Sequence, residues 1–420
     1  MNCIYNLSIS LYSAVARLVA LRSKKVKTML QGQKYAFDYL RKVIDPEASY
    51  VWVHAASLGE FEQGRPLIEI LRRENPDKKI LLTFFSPSGY EVRKDYKGVD
   101  AVCYLPFDKP CNALRLLDIV NVEAAVFVKY EFWGNYLEEI HRRNIPLYLI
   151  SSIFRPSQSF FKWWGGTFRK ILSFYTHIFV QDEQSRKLLA GIGVENVTVA
   201  GDTRFDRVTD IMRTVVKLPL IDWFKYKNPK TIVFGSSWEA DEDVYIPWFN
   251  EQHGVKAIIA PHEFNTERLA RLKARIPGSM LWSEFQELHR TPNDGSCGAV
   301  NPDLTKCIII DCFGLLSSLY RYGDIAYVGG GFGAGIHNIN EAAVYGMPVI
   351  FGPKFSKFKE AGDLIERGGA FTVSGESDFR TVIDSLIEDA SALEIASKVA
   401  GDYIQENLGA TKRIYDKVFR

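Results

Sequence analysis

YVWVHAASLGE, residues 50–60, decides how the rest of the chain reads. Residues 50–55 form an apolar, β-prone run, small residues follow, and a helical pattern occupies 62–73. A strand buried on both faces reads as such a run, and a strand turning into a helix is the start of a βαβ unit. Gly59 and the small residues before it let the backbone turn tightly and come close to a ligand. Outward from this stretch the pattern repeats. Strands are expected at 79–84, 101–105, 124–129, 146–151, 177–181 and 197–200, with helical segments such as 135–143 between them. A helix and a proline-containing connection, KLPLIDWFKYKNP at 217–229, mark a linker within 206–229. The alternation then restarts, with strands expected at 231–234, 255–260, 279–282, 307–310, 324–328, 348–351 and 370–373. Two such series predict an α/β chain of two Rossmann-like, doubly wound domains. Ligands of such sheets bind beyond the carboxyl ends of the strands, so a central cleft is expected. The expected divisions are an N-terminal segment 1–35, a first domain 36–215 and a second domain 228–420. A last helical segment near 392–419 could return to the first domain.

Bulk composition agrees. At 420 residues the chain exceeds the roughly 250–300 at which single cores stop growing. Its 47% hydrophobic and 24% charged residues are those of a folded protein, and a net charge of +2 argues against a nucleic-acid partner. The cysteines Cys3, Cys103, Cys111, Cys297, Cys307 and Cys312 form no CxxC pair and read as reduced thiols. The histidines are equally dispersed, with no HExxH pair, so no metal site is expected.

The N-terminus differs from the rest. Residues 4–21 are mostly apolar with Arg17 the only charge, and Arg22, Lys24, Lys25 and Lys27 follow. The stretch is close to the ~20 residues needed to cross a bilayer but carries several polar groups. It reads as a span, an interfacial helix or an amphipathic helix packed on the protein. The basic residues after it favour a cytoplasmic main body.

Six strand-end clusters could carry chemistry. Glu60 follows the first strand, where a carboxylate could serve as general base to an alcohol or simply favour a helix start. Glu131, in KYEFW at 129–133, stands at another strand end with the same two readings. Arg204, in GDTRFD at 201–206, could hold a carboxylate or phosphate through its planar fork, or pair with Asp202 or Asp206. In the second domain Pro261 and His262 end a strand, and Phe313, Gly314 and Leu315 form a strand-to-helix turn. VGGGFGAGIHNINE, residues 328–341, is a glycine-rich loop opening a helix, a pattern that can cradle an anion. It lacks the GK[ST] of a Walker loop. Asp241-Glu242-Asp243 has the DxD pattern of metal-dependent sugar transferases, but first-turn helix acids explain it.

In this order, ASLGE at 56–60, SPSGYE at 86–91, YLPFD at 104–108, KYEFWGN at 129–135, GDTRFD at 201–206 and YVGGGFGAGIHNINEAA at 327–343 resemble one family. It is that of the 3-deoxy-D-manno-octulosonic acid (Kdo) transferases of lipopolysaccharide assembly. The resemblance implies a GT-B glycosyltransferase with an N-terminal membrane-associated helix. It implies an acceptor-binding first domain and a CMP-sugar-binding second domain. Kdo would pass from CMP-β-Kdo, a co-substrate rather than a cofactor, to a lipid A precursor, with inversion and without a metal. Work at the cytoplasmic face of the inner membrane is implied with it. By motif, Glu60 matches the family's base, and Glu131 and Arg204 match positions that stabilise the transition state. Pro261, His262, Phe313, Gly314, Leu315, Asn338, Ile339, Asn340 and Glu341 match the CMP contacts. Two departures stand out. Glu263 follows His262 where the family often has Arg, and the family's Asn-Pro-x-Glu loop reads Asn338-Ile339-Asn340-Glu341.

Overall fold

A computed structural model describes residues 1, 3–214, 216–227, 229–288 and 305–420. The chain falls into two compact units, Met1–Arg207 with Asn407–Arg420, and Val208–Glu406. The divisions expected at Val215 and Asn228 lie outside the described residues, as does the thiol of Cys297. The one expected at 35 falls inside the helix Lys24–Val43.

Unit 1 holds β1 (Tyr50–His54), β2 (Lys79–Phe84), β3 (Ala101–Tyr104), β4 (Val122–Val128), β5 (Leu147–Ser152), β6 (His177–Val180) and β7 (Val197–Val199). They form one parallel sheet in the order β3-β2-β1-β4-β5-β6-β7. Every residue of β1 is buried, as the uninterrupted apolar run requires of a strand covered on both faces. The sheet's winding reverses between β1 and β4, so the carboxyl ends of those two strands form its switch point.

The final helix, Ala410–Phe419, packs on Leu58–Glu74 and buries Ile414 and Tyr415 among the β1 and β2 core residues. Asp206 fastens it, accepting from Gly409 N–H at 2.6 Å and Thr411 N–H at 2.7 Å. The single helical segment expected near 392–419 is therefore two helices. Ala390–Glu406 belongs to unit 2, and Gly409, at φ +90°, breaks the run in the left-handed region open to glycine. The 206–229 connection likewise contains more helix than expected, with Thr203–Thr214 followed by Pro219–Phe224.

The apolar N-terminus forms the helix Cys3–Val19, and Lys24–Val43 follows it. No helix among the described residues is long and apolar enough to cross a membrane. The first helix is docked by polar groups. Tyr5 donates to Asp108 at 2.5 Å and accepts from Gly134 N–H at 3.0 Å, and Asn6 accepts from Asn135 at 2.9 Å. Its large apolar side chains point the other way. Ile4, Leu7, Leu11, Val15 and Leu18, at helical spacing, are all exposed.

Unit 2 holds β8 (Lys230–Ser237), β9 (Val255–Pro261), β10 (Ser279–Leu281), β11 (Cys307–Ile309), β12 (Ile325–Val328), β13 (Val349–Phe351) and β14 (Ala370–Thr372). Their order is β10-β11-β9-β8-β12-β13-β14, again all parallel. Here the switch point lies between β8 and β12.

Candidate active site

Glu60 and Glu131 follow the two strands of the unit 1 switch point and the glycine-rich loop follows β12 at that of unit 2, whereas Arg204 follows the edge strand β7, His262 follows β9 and Phe313 follows β11. In unit 1, His54 ends β1 fully buried, with Nδ1 2.8 Å from Thr83 Oγ1 and Nε2 3.1 Å from Glu131 Oε2. The Trp133 indole N–H also donates to Glu131, whose carboxylate is thus turned into the protein and only 7% exposed. Lys129, between β4 and Glu131, has φ +71°, a conformation costing a non-glycine residue of order 1 kcal/mol or more. Ser151 at the end of β5 and Ser236 at the end of β8 also have positive φ. Three of the five non-glycine residues with positive φ among the described residues thus stand at the carboxyl ends of strands, the others being Asn144 and Lys227.

Glu60 sits in the first turn of Leu58–Glu74, half-buried. Its Oε2 accepts from Ser57 N–H at 2.9 Å and Ser57 Oγ at 3.2 Å, so it closes the helix cap as the bland sequence reading held. It is more than a cap. Burial, and next the negative charge of Glu131, push its carboxyl up to about 7, against the pull of the Ser57 donors and Lys129. A carboxylate at that level is matched to proton abstraction near neutrality. Arg204 takes the ion-pair geometry, with Nε 2.8 Å and a terminal nitrogen 2.6 Å from Asp202 Oδ2. The Arg204 side chain as a whole is about a quarter exposed.

In unit 2 the glycine-rich loop is shaped by packing. A Cβ on Gly329 would lie 2.3 Å from the Ser236 carbonyl oxygen, and one on Gly331 2.6 Å from Gly352 Cα, so only glycine fits. The loop's amides are largely engaged as well. Gly329 N–H donates to Gly235, Gly330 N–H to Asp241, and Gly333 and Gly335 N–H to the Gly330 carbonyl. The helix it opens, Asn340–Ala343, has a single turn. Gly329 lets the loop lie against β8 and Gly331 lets it lie against Gly352 after β13, and these four amides serve the fold.

Asp241 explains the DxD pattern. Its carboxylate accepts from Trp238 N–H at 3.0 Å, Gly330 N–H at 2.9 Å and Tyr327 OH at 3.0 Å. Glu242 accepts from Arg268 at 2.7 Å, and Asp243 pairs with Arg275 at 2.7 Å.

The sequence-derived nucleotide contacts fall into two connected clusters. His262, after β9, stacks on His337 with ring centroids 4.1 Å apart, and Trp238 lies 4.9 Å from His262 and donates to His337 Nε2 at 3.1 Å. Burial, with His262 beside it, lowers His337 to about 4, so its ring is neutral at pH 7 and accepts that bond. In the second cluster Glu341 accepts from Ser317 at 2.8 Å and from Asn338 at 3.1 Å, tying the loop to the short helix that follows the turn at 313–315. Phe313, 76% exposed, stacks on Phe264 at 4.6 Å and joins the clusters. Pro261, Ile339 and Asn340 are buried, so their side chains support the surface rather than form it. Gly314, at φ +90°, makes the turn that presents Phe313, and Leu315 precedes the helix Leu316–Leu319.

A pocket of about 450 Å³ opens beside the first cluster, walled by Trp238, Glu263, Phe264 and Arg268 among others. Its volume and aromatic lining suit a nucleotide. Trp238, Phe264 and Arg268 were not among the sequence-derived site residues. Trp238 directly follows β8, which runs three residues beyond the strand expected at 231–234, so its place at the strand end was not visible in the sequence. Arg268 lies six residues beyond His262, on the helix Thr266–Arg275, and donates to the Glu263 carbonyl. A guanidinium thus stands near this loop although Glu263 replaces the arginine that often follows the histidine.

Residues 24–207 match the family model described as "3-Deoxy-D-manno-octulosonic-acid transferase (kdotransferase)". The 3-deoxy-D-manno-octulosonic acid transferase of Aquifex aeolicus is 28% identical over 386 residues, covering 88% of this chain and 97% of that protein. That of Haemophilus influenzae is 27% identical, covering 95% and 92%. Among solved structures, UDP-GlcNAc 2-epimerase from Neisseria meningitidis shares the fold, with a TM-score of 0.61 at 15% identity over 88% of this chain and 99% of that one.

Proposed function

We infer, from the premise that this chain belongs to the Kdo transferase family, that it is a glycosyltransferase of lipopolysaccharide biosynthesis. The finer reading is our proposal: CMP-β-Kdo is the donor, a lipid A precursor the acceptor, and the anomeric carbon inverts. The observation that carries it is Glu60, a carboxylate at the unit 1 switch point with its proton affinity raised to about 7.

In the proposed step Glu60 takes the proton of the acceptor hydroxyl. The freed oxygen bonds to the anomeric carbon as the bond from that carbon to the phosphate oxygen breaks, and CMP leaves with the electron pair. Glu131 acts by position. It orients with His54 and Trp133, and its charge raises the basicity of Glu60. Arg204, fixed by Asp202, offers a cation to the sugar carboxylate or the departing phosphate. Unit 2 holds the nucleotide against Trp238, His262 and Phe313. We propose that no metal takes part, because Asp241, Glu242 and Asp243 already serve protein donors. The exposed stripe Ile4, Leu7, Leu11, Val15 and Leu18 supports attachment by a helix lying in a membrane interface, which we place at the cytoplasmic face of the inner membrane, where the family reading puts the acceptor.

Two measurements follow. CMP at one hundred times its Kd should stabilise the protein by about 2.7 kcal/mol, and UDP or GDP at equal concentration by far less. A larger effect of UDP or GDP in a thermal-shift series would replace the CMP-sugar by another nucleotide sugar. The pH profile of kcat/KM should show an acid limb near 7, since activity needs Glu60 deprotonated. An acid limb below about 5.5, where an ordinary carboxylate titrates, would remove Glu60 as the base.

A further inference from the structure

The two N-terminal helices border a cavity of about 490 Å³ that the proposed transfer leaves without a role. Arg17, Lys34, Lys109 and Arg115 line it with Ser13 and Gln33, and no Asp or Glu stands among its lining residues. A concavity walled by charges of one sign focuses their field and draws in the opposite charge. Arg115 is held in place, its guanidinium 4.5 Å over the Phe37 ring and 3.8 Å from Asp38, which is not in the lining. Lys109 stands at the N-cap of the ten-residue helix Pro110–Ile119, whose cap has no side-chain acceptor. Cys111 and Asn112 of its first turn also line the cavity, so the positive end of the helix dipole adds to the same field. Gln33 is an independent sign. Its residue is only 7% exposed, yet its amide nitrogen has no hydrogen-bond partner, and a buried donor left unsatisfied is destabilising.

Size and surroundings narrow the ligand. A water occupies about 30 Å³ in the liquid, so a bare phosphate, a few waters in size, would leave most of this space empty. Leu30, Phe37 and Phe107 add apolar wall. Ser13 and Arg17 lie on the helix whose outer side carries the exposed Leu7, Leu11 and Leu18. We propose that this cavity binds the phosphate headgroup of a membrane lipid. The inference rests on the membrane-surface reading above, to which it adds a specific headgroup site.

The test follows Cys111 alkylation in full-length protein with Cys3, Cys297 and Cys312 replaced by Ser. The remaining cysteines, Cys103 and Cys307, are buried. Short-chain phosphatidic acid below its micelle concentration should slow alkylation. Arg17→Gln with Lys34→Gln should weaken that protection roughly thirtyfold, about tenfold per 1.4 kcal/mol and about 1 kcal/mol per cation. Lys25→Gln with Lys27→Gln, which removes the same charge from exposed positions outside the cavity, should shift it less than about threefold on that scale. No protection, or equal shifts in the two double variants, would overturn the site. Equal protection by inorganic phosphate would overturn the lipid as its ligand. Pelleting with neutral phosphatidylcholine vesicles tests the membrane reading separately. Leu7→Asp with Leu11→Asp should abolish pelleting, whereas Arg17→Gln with Lys34→Gln should leave it intact.

Discussion

Glu60→Gln should lower kcat by about 10²–10⁴-fold, the range spanned by loss of a general base. The variant isolates that role. The Gln oxygen can still accept from Ser57 N–H, so the helix cap survives, and nucleotide binding in unit 2 should be unchanged. Stability should move the other way. The wild-type carboxyl, raised to about 7, holds its proton in the folded chain where an unfolded glutamate near 4.5 has released it. Wild-type stability therefore falls as pH rises from about 4.5 to 7. Glu60→Gln should melt higher than wild type at pH 8, and the difference should vanish near pH 4.5, where both side chains are neutral. A variant that keeps its turnover, or that melts lower at pH 8 than at pH 4.5 relative to wild type, would contradict the assignment.

Asp241→Ala should be the most damaging change in unit 2. It leaves Trp238 N–H, Gly330 N–H and Tyr327 OH without their acceptor in a buried setting, at a cost of about 3–5 kcal/mol. For a unit of this size that amounts to roughly 10 °C in melting temperature. The neighbouring Asp243→Asn removes only an exposed pair with Arg275 and should cost less than about 1 kcal/mol. The contrast separates a structural staple from a metal-binding DxD motif, in which both aspartates would matter to activity and divalent cations would be required. Calorimetry of the two variants, with activity measured in the presence of a chelator, distinguishes the cases.

The architecture was legible because its signal is periodic and strong. All fourteen expected strands are present, with ends displaced by up to a few residues, since burial on both faces leaves long apolar runs in the sequence. The two switch points were half legible. Glu60 and Glu131 were visible as acids after strands, but only the parallel order β2-β1-β4 brings their strand ends together. That Glu131 bonds His54, seventy-seven residues away in sequence, has no local signature. The glycine-rich loop shows that one local pattern can have two causes. Its composition suggested an anion cradle, and Gly329 and Gly331 are also demanded by backbones closer than a Cβ allows. Arg268 was hidden for a related reason. Its importance comes from reaching back to the Glu263 carbonyl, which helix periodicity does not express. The outward stripe of the first helix was present in the sequence as apolar residues, but docking through Tyr5 and Asn6 shows which side faces away from the fold.

We propose that this chain moves Kdo from a CMP-linked donor to a lipid A precursor, with Glu60 as base. Mass spectrometry of a lipid A precursor incubated with the full-length protein and excess CMP-Kdo tests it most directly. Product heavier by one or more whole Kdo residues is expected, formed by wild type and nearly absent with Glu60→Gln. An unmodified acceptor, or equal product from the two proteins, would contradict it.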